Sequence, residues 1–246
     1  MVKRNQSVGG SRGQVCTYRS DKGLAGAANR SYKKAMDELI AGYRNFRRTR
    51  YETEATRYRK LGREGQAPHT LVISCCDSRV EPAVIFDAGP GDMFVIRNVA
   101  NLVPPYEPDG EYHSTSAAIE FAVTGLEVKR ILVMGHASCG GVNAFLKGLI
   151  DESQKAGFIG KWMSLLDPAV DAVEAIPAED AAQRQKVMEL AGVRLSLDNL
   201  MSFPFVAERV QAGRLKLYGG YFGIVEGVLH LYDPERDGFF PVADEE

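Results

Sequence analysis

A chain of 246 residues, 45% of them hydrophobic, is long enough to bury a substantial core, and one α/β domain can run to this length. With 30 Lys and Arg against 32 Asp and Glu, the formal net charge is -2, which excludes the imbalance of a nucleic-acid-binding surface or an acidic tail and leaves a small molecule as the expected partner. No apolar run approaches the ~20 residues that span a bilayer, and the 4 cysteines, two of them adjacent (Cys75 and Cys76), suit a reducing compartment better than a disulfide framework.

Met1 to Arg19 carry Lys3, Arg4, Arg12 and Arg19 with no acid and no apolar core of a secretory signal. They are expected to belong to a disordered tail over residues 1–30, followed by a single α/β domain over residues 31–246. A cytoplasmic location is the expectation, with organelle targeting by the basic tail as its alternative.

From Ser31 to Arg50, Met36, Leu39, Ile40, Tyr43 and Phe46 recur at helical spacing with Lys and Arg on the other faces, which predicts an amphipathic arm whose basic side is solvated. A second, mostly polar helix is expected over Thr53 to Leu61, and Arg63 to Pro68 breaks the pattern. Thr70 to Cys75 is a continuous apolar run, the mark of a strand buried on both faces of a parallel sheet. A short helix follows over Glu81 to Asp87. Pro90-Gly91-Asp92 then turns the chain into a strand over Met93 to Ile96 that ends at Arg97 and Asn98. Val103-Pro104-Pro105-Tyr106 is stiff and cannot join a helix.

Ser114 to Leu126 predicts a helix with capping hydroxyls at its start and an apolar stripe of Ile119, Ala122, Val123 and Leu126. Arg130 to Gly135 is a third strand, and the alternation of strands and helices implies right-handed crossovers with ligands collecting at the strands' carboxyl ends. Gly141 to Ile150 is expected to be helical. Residues 151–213 read as mostly helical, interrupted at Pro168, Pro177 and Pro204, with an Ala/Glu/Arg/Gln-rich run near Ala178 to Ala191 in which no chemistry is legible. Leu215 to Tyr218 and Gly227 to Tyr232 are two further strands around Gly219-Gly220, with His230 on a sheet face. The expected fold class is α/β: a mostly parallel central sheet flanked by helices, with an N-terminal helical arm.

Two of the predicted strand ends carry metal-binding side chains. Cys75, His136 and Cys139 form a set that zinc accepts, and a catalytic zinc keeps three protein ligands with the fourth position open. A closed, structural zinc needs a fourth ligand. Cys76 points away from Cys75 if the strand continues and reads as a packed thiol. Asp77 returns to the same face, as a fourth ligand or as an acceptor for bound water, and Arg79 is placed to hold it. His69, His113 and His230 read as structural, and Cys16, in the tail, as no ligand.

Cys75-Cys76-Asp77-Ser78-Arg79 together with Gly135-His136-Ala137-Ser138-Cys139-Gly140-Gly141 closely resembles the β-class carbonic anhydrases, and most of all their plant-type branch. The likeness extends through Gly91-Asp92, Arg97-Asn98-Val99-Ala100-Asn101, Val103-Pro104-Pro105-Tyr106, Ala118-Ile119-Glu120 and Gly219-Gly220-Tyr221, so it covers the chain from about Ser31 to Tyr232. This resemblance implies zinc on Cys75, His136 and Cys139, with Asp77 and Arg79 as the dyad that orients zinc-bound hydroxide. It also places Gln66 as a donor to substrate oxygen, Phe94, Val99 and Phe121 around an apolar pocket for carbon dioxide, and Gly140 among the substrate-binding residues. Phe121 and Gly125 stand where plant-type members tend to carry Tyr and His, groups proposed to relay protons.

The implied activity is zinc-dependent, reversible hydration of carbon dioxide to bicarbonate and a proton, in a homodimer or larger homo-oligomer, with neither nucleic acid nor membrane as partner. Two rivals share the site: hydrolysis of carbon disulfide or carbonyl sulfide on the same fold, and a non-catalytic zinc protein in which Asp77 closes the fourth position. The presence of both Arg79 and Gln66 speaks against the second.

Overall fold

The computed structural model describes residues 27–109, 113–148 and 157–243, so most of the expected tail over 1–30, Cys16 within it, and the expected helix end at Ile150 lie outside the described residues. The chain divides into two compact units, Met1–Tyr58 and Arg59–Glu246.

Helix α1 (Ala27–Arg48) begins four residues ahead of the expected Ser31 and is followed by α2 (Arg50–Glu64), longer at both ends than the expected second helix. Thr49 separates them. Its hydroxyl donates to the Asn45 carbonyl at 2.9 Å, a local bond that competes with regular helix geometry. Around this elbow Phe46, Tyr51 and Tyr58 form an aromatic cluster with ring centroids 5.2 to 6.0 Å apart, and the Arg47 guanidinium lies 4.3 Å from the Tyr51 ring centre. Met36, Leu39, Ile40 and Tyr43, the predicted apolar stripe of α1, are exposed. No helix among the described residues is long and apolar enough to cross a membrane.

The second unit is built on a six-stranded sheet of order β2-β1-β3-β4-β5-β6, with β1 (Thr70–Cys75), β2 (Met93–Asn98), β3 (Arg130–His136), β4 (Lys216–Gly223), β5 (Val228–Asp233) and β6 (Gly238–Pro241). The first four strands pair in parallel and the last two add antiparallel, so the sheet is mostly parallel, as expected. Its continuous apolar strands are the reason: Leu71 to Cys75 are all buried, which only a central strand covered on both faces can achieve. The order matters for function. From β1 the chain first goes outward to β2, then crosses back to β3 on the other side of β1, so the crevice between the ends of β1 and β3 is the sheet's topological switch point, where open α/β sheets bind ligands.

Two apolar cores flank this frame. One gathers Leu71, Ile73, Ile119, Ile131, Val133, Leu200 and Phe203. The other gathers Val80, Ala100, Leu102, Val142, Met163, Leu166 and Met188 around Cys75 and Cys139. The long helix Ala181–Met201 lies so close to the sheet that side chains are excluded beneath it. A Cβ on Gly219 would lie 3.1 Å from Leu197, Val193 and Tyr232 atoms, and one on Gly135 only 2.7 Å from Val193 Cγ2. Close approach of the helix at Gly219, and of the neighbouring-strand side chains Leu132 and Leu229 at Gly220, is therefore why Gly219-Gly220 sits inside one continuous strand, where sequence suggested an interruption. Gly135→Ala is expected to cost about 1–3 kcal/mol of stability by overpacking, read as a lowered urea midpoint, with Val193→Ala in the same chain recovering part of the loss.

Other departures are local. The predicted helix over Ser114 to Leu126 is regular only over Ser114–Glu120 and then widens into a π-helical turn, Phe121–Gly125, closed by the Leu126 N–H on the Phe121 carbonyl at 2.9 Å. The short helix expected over Glu81 to Asp87 spans Pro82–Ile85. Strand β6 carries no alternating apolar signal and was not anticipated.

Candidate metal centre

The ends of β1 and β3 are neighbours, with Ser74 paired to Met134, so Cys75, the last residue of β1, and His136, the last of β3, meet without any further folding. Cys139 follows on the loop that leads into the helix Gly140–Leu146. The sulfurs of Cys75 and Cys139 and an imidazole nitrogen of His136 all lie within 4.8 Å of one another, and all three residues are buried. His136 Nδ1 is 2.9 Å from the Ala137 carbonyl. A carbonyl can only accept, so Nδ1 carries the proton and the lone pair is on Nε2, a buried atom with no hydrogen-bond partner. An orphaned imidazole nitrogen facing two free thiols is the donor set of a soft or borderline divalent metal, and it fits zinc.

The electrostatics favour a cation at this point. The Cys139 thiol donating toward Cys75, helped by His136, holds the Cys75 thiol well below its ordinary value against the opposing effect of burial. Cys139, beside that sulfur and itself buried, is pushed up. Burial disfavours the charged form of His136, but the adjacent Cys75 sulfur and the Ala137 carbonyl outweigh it, and its net direction is upward. Together these shifts favour one thiolate, on Cys75, with the neutral Cys139 thiol and the His136 ring beside it, and a thiolate attracts a cation.

Asp77 and Arg79 form a second, adjoining unit. The Arg79 side chain grips both carboxylate oxygens, Nε to Oδ1 at 2.9 Å and Nη2 to Oδ2 at 2.8 Å, and the Arg79 backbone N–H adds a third bond at 2.9 Å. This two-pronged pairing holds the Asp77 carboxyl well below the usual carboxylate range, with burial opposing it. Arg79 Nη2 also donates to the Ser138 carbonyl at 3.0 Å, and Ser138 adopts a left-handed backbone with φ 59°, uncommon for a residue with a side chain. One guanidinium thus ties the loop after β1 to the loop after β3. The metal-ligand cluster does not include Asp77.

Arg97, which sequence matching identified only as part of a motif, closes the same region from β2. Its Nε donates to the Cys75 carbonyl at 3.0 Å and its Nη2 to the Asp77 carbonyl at 2.7 Å, while Nη1 pairs with Glu81. Cys76 corrects an expectation. Strand β1 ends at Cys75, so the alternation that would have turned Cys76 into the core stops; its N–H still bonds the Asn98 carbonyl at 2.9 Å, but the residue is exposed.

The helix Ala181–Met201 supplies what sequence reading missed entirely. Glu189, buried, accepts from the Cys139 N–H at 2.8 Å, from Gln185 Nε2 at 2.8 Å and from the Tyr221 hydroxyl at 2.9 Å. Burial pushes the Glu189 carboxyl up, and the three donors pull against it; Tyr221 is in turn raised by burial and by the Glu189 charge. A signal for Glu189 was present: it falls in phase with Gly192, Val193, Ser196 and Leu200, the buried face of the helix.

The residues implicated in substrate binding lie in different settings. Val99 packs beside the core that holds Cys75 and Cys139, and Gly140 opens the helix after Cys139. Phe94 and Phe121 meet each other with ring centroids 5.8 Å apart, Phe121 half exposed on the π-helical turn, and Gln66 is exposed in the connection ahead of β1.

Residues 70–229 match the family model described as carbonic anhydrase. The chain is 38% identical over 192 residues to the chloroplastic β carbonic anhydrase 5 of Arabidopsis thaliana, covering 78% of this chain but only 62% of that protein's length. It is 34% identical over 238 residues to β carbonic anhydrase 3 of the same plant, covering 90% of each. Among solved structures, that of the β-carbonic anhydrase CcaA superposes with a TM-score of 0.76 at 30% identity, over 85% of this chain and 100% of the other. The matched span runs from the first residue of β1 into β5 and encloses both motif loops, and the chain belongs to the carbonic anhydrase family, in its β class and on the plant-type branch.

Proposed function

We propose that the chain hydrates carbon dioxide reversibly to bicarbonate and a proton, using a zinc ion held by Cys75, His136 and Cys139. The observation that carries this reading is the convergence of three buried ligand atoms within 4.8 Å, with His136 Nε2 left without a partner. Zinc supplies Lewis acidity that activates water at neutral pH, a chemistry for which carbonic anhydrase is itself the general example.

The chain's own residues then direct that chemistry. Asp77, ionised through Arg79, is an acceptor whose direction is fixed before substrate arrives, and it orients the O–H of the reacting water. Arg79 keeps the carboxylate committed to the guanidinium, which would keep Asp77 from serving as a ligand to the metal. Val99, Phe94 and Phe121 provide apolar surface for carbon dioxide, Gln66 donates to a substrate oxygen, and Gly140 lets substrate approach the backbone. Neither Phe121 nor Gly125 can carry a proton, so release to buffer takes another path in this chain. Thiolate ligands must stay reduced, in keeping with a cytoplasmic setting. The exposed apolar stripe of α1 supports a dimer or larger homo-oligomer in which a second subunit covers it.

Stopped-flow hydration of carbon dioxide by the zinc-loaded chain tests the reading. The expected result is rapid turnover across about pH 7 to 9, on the alkaline side of a zinc-activated water. No turnover there, or hydrolysis of carbon disulfide or carbonyl sulfide in its place, would refute it.

A further inference from the structure

The long helix Ala181–Met201 turns two polar side chains, one helical turn apart, against the loop that carries Cys139. Glu189 Oε1 accepts from the Cys139 N–H at 2.8 Å, and Gln185 Nε2 donates to the Cys139 carbonyl at 3.2 Å. Both backbone polar groups of this one residue are therefore held by the same helix. The holders are themselves held: Gln185 Nε2 donates to Glu189 Oε1 at 2.8 Å, Asn143 Nδ2 donates to Gln185 Oε1 at 2.6 Å, and the Tyr221 hydroxyl donates to Glu189 Oε2 at 2.9 Å.

Glu189 is 4% exposed. A carboxylate there is costly to bury, and a helix that only had to pack would take Leu or Met at the position, as it does at Met188 and Leu200. The carboxylate touches no ligand atom. It acts on the residue whose Cα–Cβ direction aims a sulfur, just after Ser138, whose left-handed backbone is uncommon for a non-glycine residue. Cys139 is also the only sulfur of the three-residue cluster that sits on a loop; Cys75 is anchored in a strand. A loop ligand needs its backbone fixed from outside if the metal is to find it in place.

We propose that Glu189 is a positioning residue of the metal centre: it locks the Cys139 backbone, with Gln185, so that the Cys139 sulfur is preorganised for zinc. This rests on the reading of Cys139 as a ligand. Because a carboxylate oxygen and an amide oxygen accept alike, Glu189→Gln preserves the lock, the amide oxygen taking the Cys139 and Gln185 donors and the amide nitrogen donating to the Tyr221 oxygen, whose hydroxyl rotates. Glu189→Ala and Glu189→Leu remove it, the second while filling the space.

The experiment is metal binding to the metal-free full-length chain. Zinc affinity is measured by chelator competition, and Co²⁺ titration is followed by its thiolate charge-transfer absorption. The expected result is a loss of about 10- to 100-fold in zinc affinity for Glu189→Ala and Glu189→Leu, with a weakened or shifted cobalt–thiolate band, and near wild-type behaviour for Glu189→Gln. If Glu189→Ala does not fold, Glu189→Leu carries the comparison. Unchanged affinity and an unchanged cobalt spectrum in either folded variant, even with lowered thermal stability, would overturn the proposal alone. A wild-type chain lacking any cobalt–thiolate band would instead remove the ligand assignment on which it stands.

Discussion

Cys139→Ser is expected to yield a folded protein that no longer holds stoichiometric zinc. The exchange is nearly isosteric at a residue that is buried, so packing changes little. What changes is the donor: a serine hydroxyl is not deprotonated at neutral pH and replaces a soft thiolate with a hard, neutral oxygen. Two ligands remain of three. Loss of supporting residues alone costs about 10- to 100-fold in metal affinity, and loss of a ligand should exceed the upper end of that range. Elemental analysis after dialysis against a weak chelator reads the outcome directly, and full occupancy would refute the ligand set. Cys76→Ser is the matched control. That thiol is exposed and outside the cluster, so zinc content should stay at the wild-type level.

Asp77→Asn should leave zinc in place and remove most of the turnover. Asparagine keeps the size of the side chain but loses the charge that draws both prongs of Arg79, and one of its two terminal atoms becomes a donor. The fixed acceptor for the reacting water is lost with it. A loss of about 100- to 10,000-fold in kcat is expected, the range for a positioned acid–base group; undiminished kcat with full zinc would take Asp77 out of the mechanism. The sign of its titration sharpens the reading. Arg79 holds the Asp77 pKa well below the carboxylate range, so the pair's contribution to stability is complete above the unfolded pKa of about 4 and is lost only as pH falls through the lowered folded value. Asp77 is therefore ionised at every pH at which the enzyme would work, and any loss of activity near neutrality has another origin.

How much of this was legible beforehand depended on whether one residue's environment is local. Thr70–Cys75 declared itself because a doubly buried strand is apolar at every position, and its predicted bounds coincide with the observed ones. Cys75, His136 and Cys139 were legible because two short motifs fall at the ends of two predicted strands, and the pair together is far more specific than either alone. Glu189 was not. In a run rich in Ala, Glu, Arg and Gln, a single glutamate looks solvated, and only the face it shares with Gly192 and Val193 marks it as buried. Cys76 was misplaced because strand alternation was extended one residue past the strand's end. Gly219-Gly220 suggested an interruption, since sequence does not show how near a helix will lie to Gly219 or the side chains of adjacent strands to Gly220. The π-helical turn at Phe121–Gly125 was invisible for a related reason: the apolar stripe it interrupts fits an ordinary helix equally well.

The switch-point geometry also bears on folding. Cys75 and His136 stand roughly 60 residues apart in the chain, yet they end adjacent parallel strands. A metal shared between them closes that long segment into a ring, much as a disulfide would, but one that forms only after both crossovers have been made. Such a cross-link has no counterpart in the unfolded chain, where the ligands are scattered. Zinc would therefore act on this sheet as a latch that rewards the correct strand order, and free-metal concentration would set how firmly the ends of β1 and β3 stay joined.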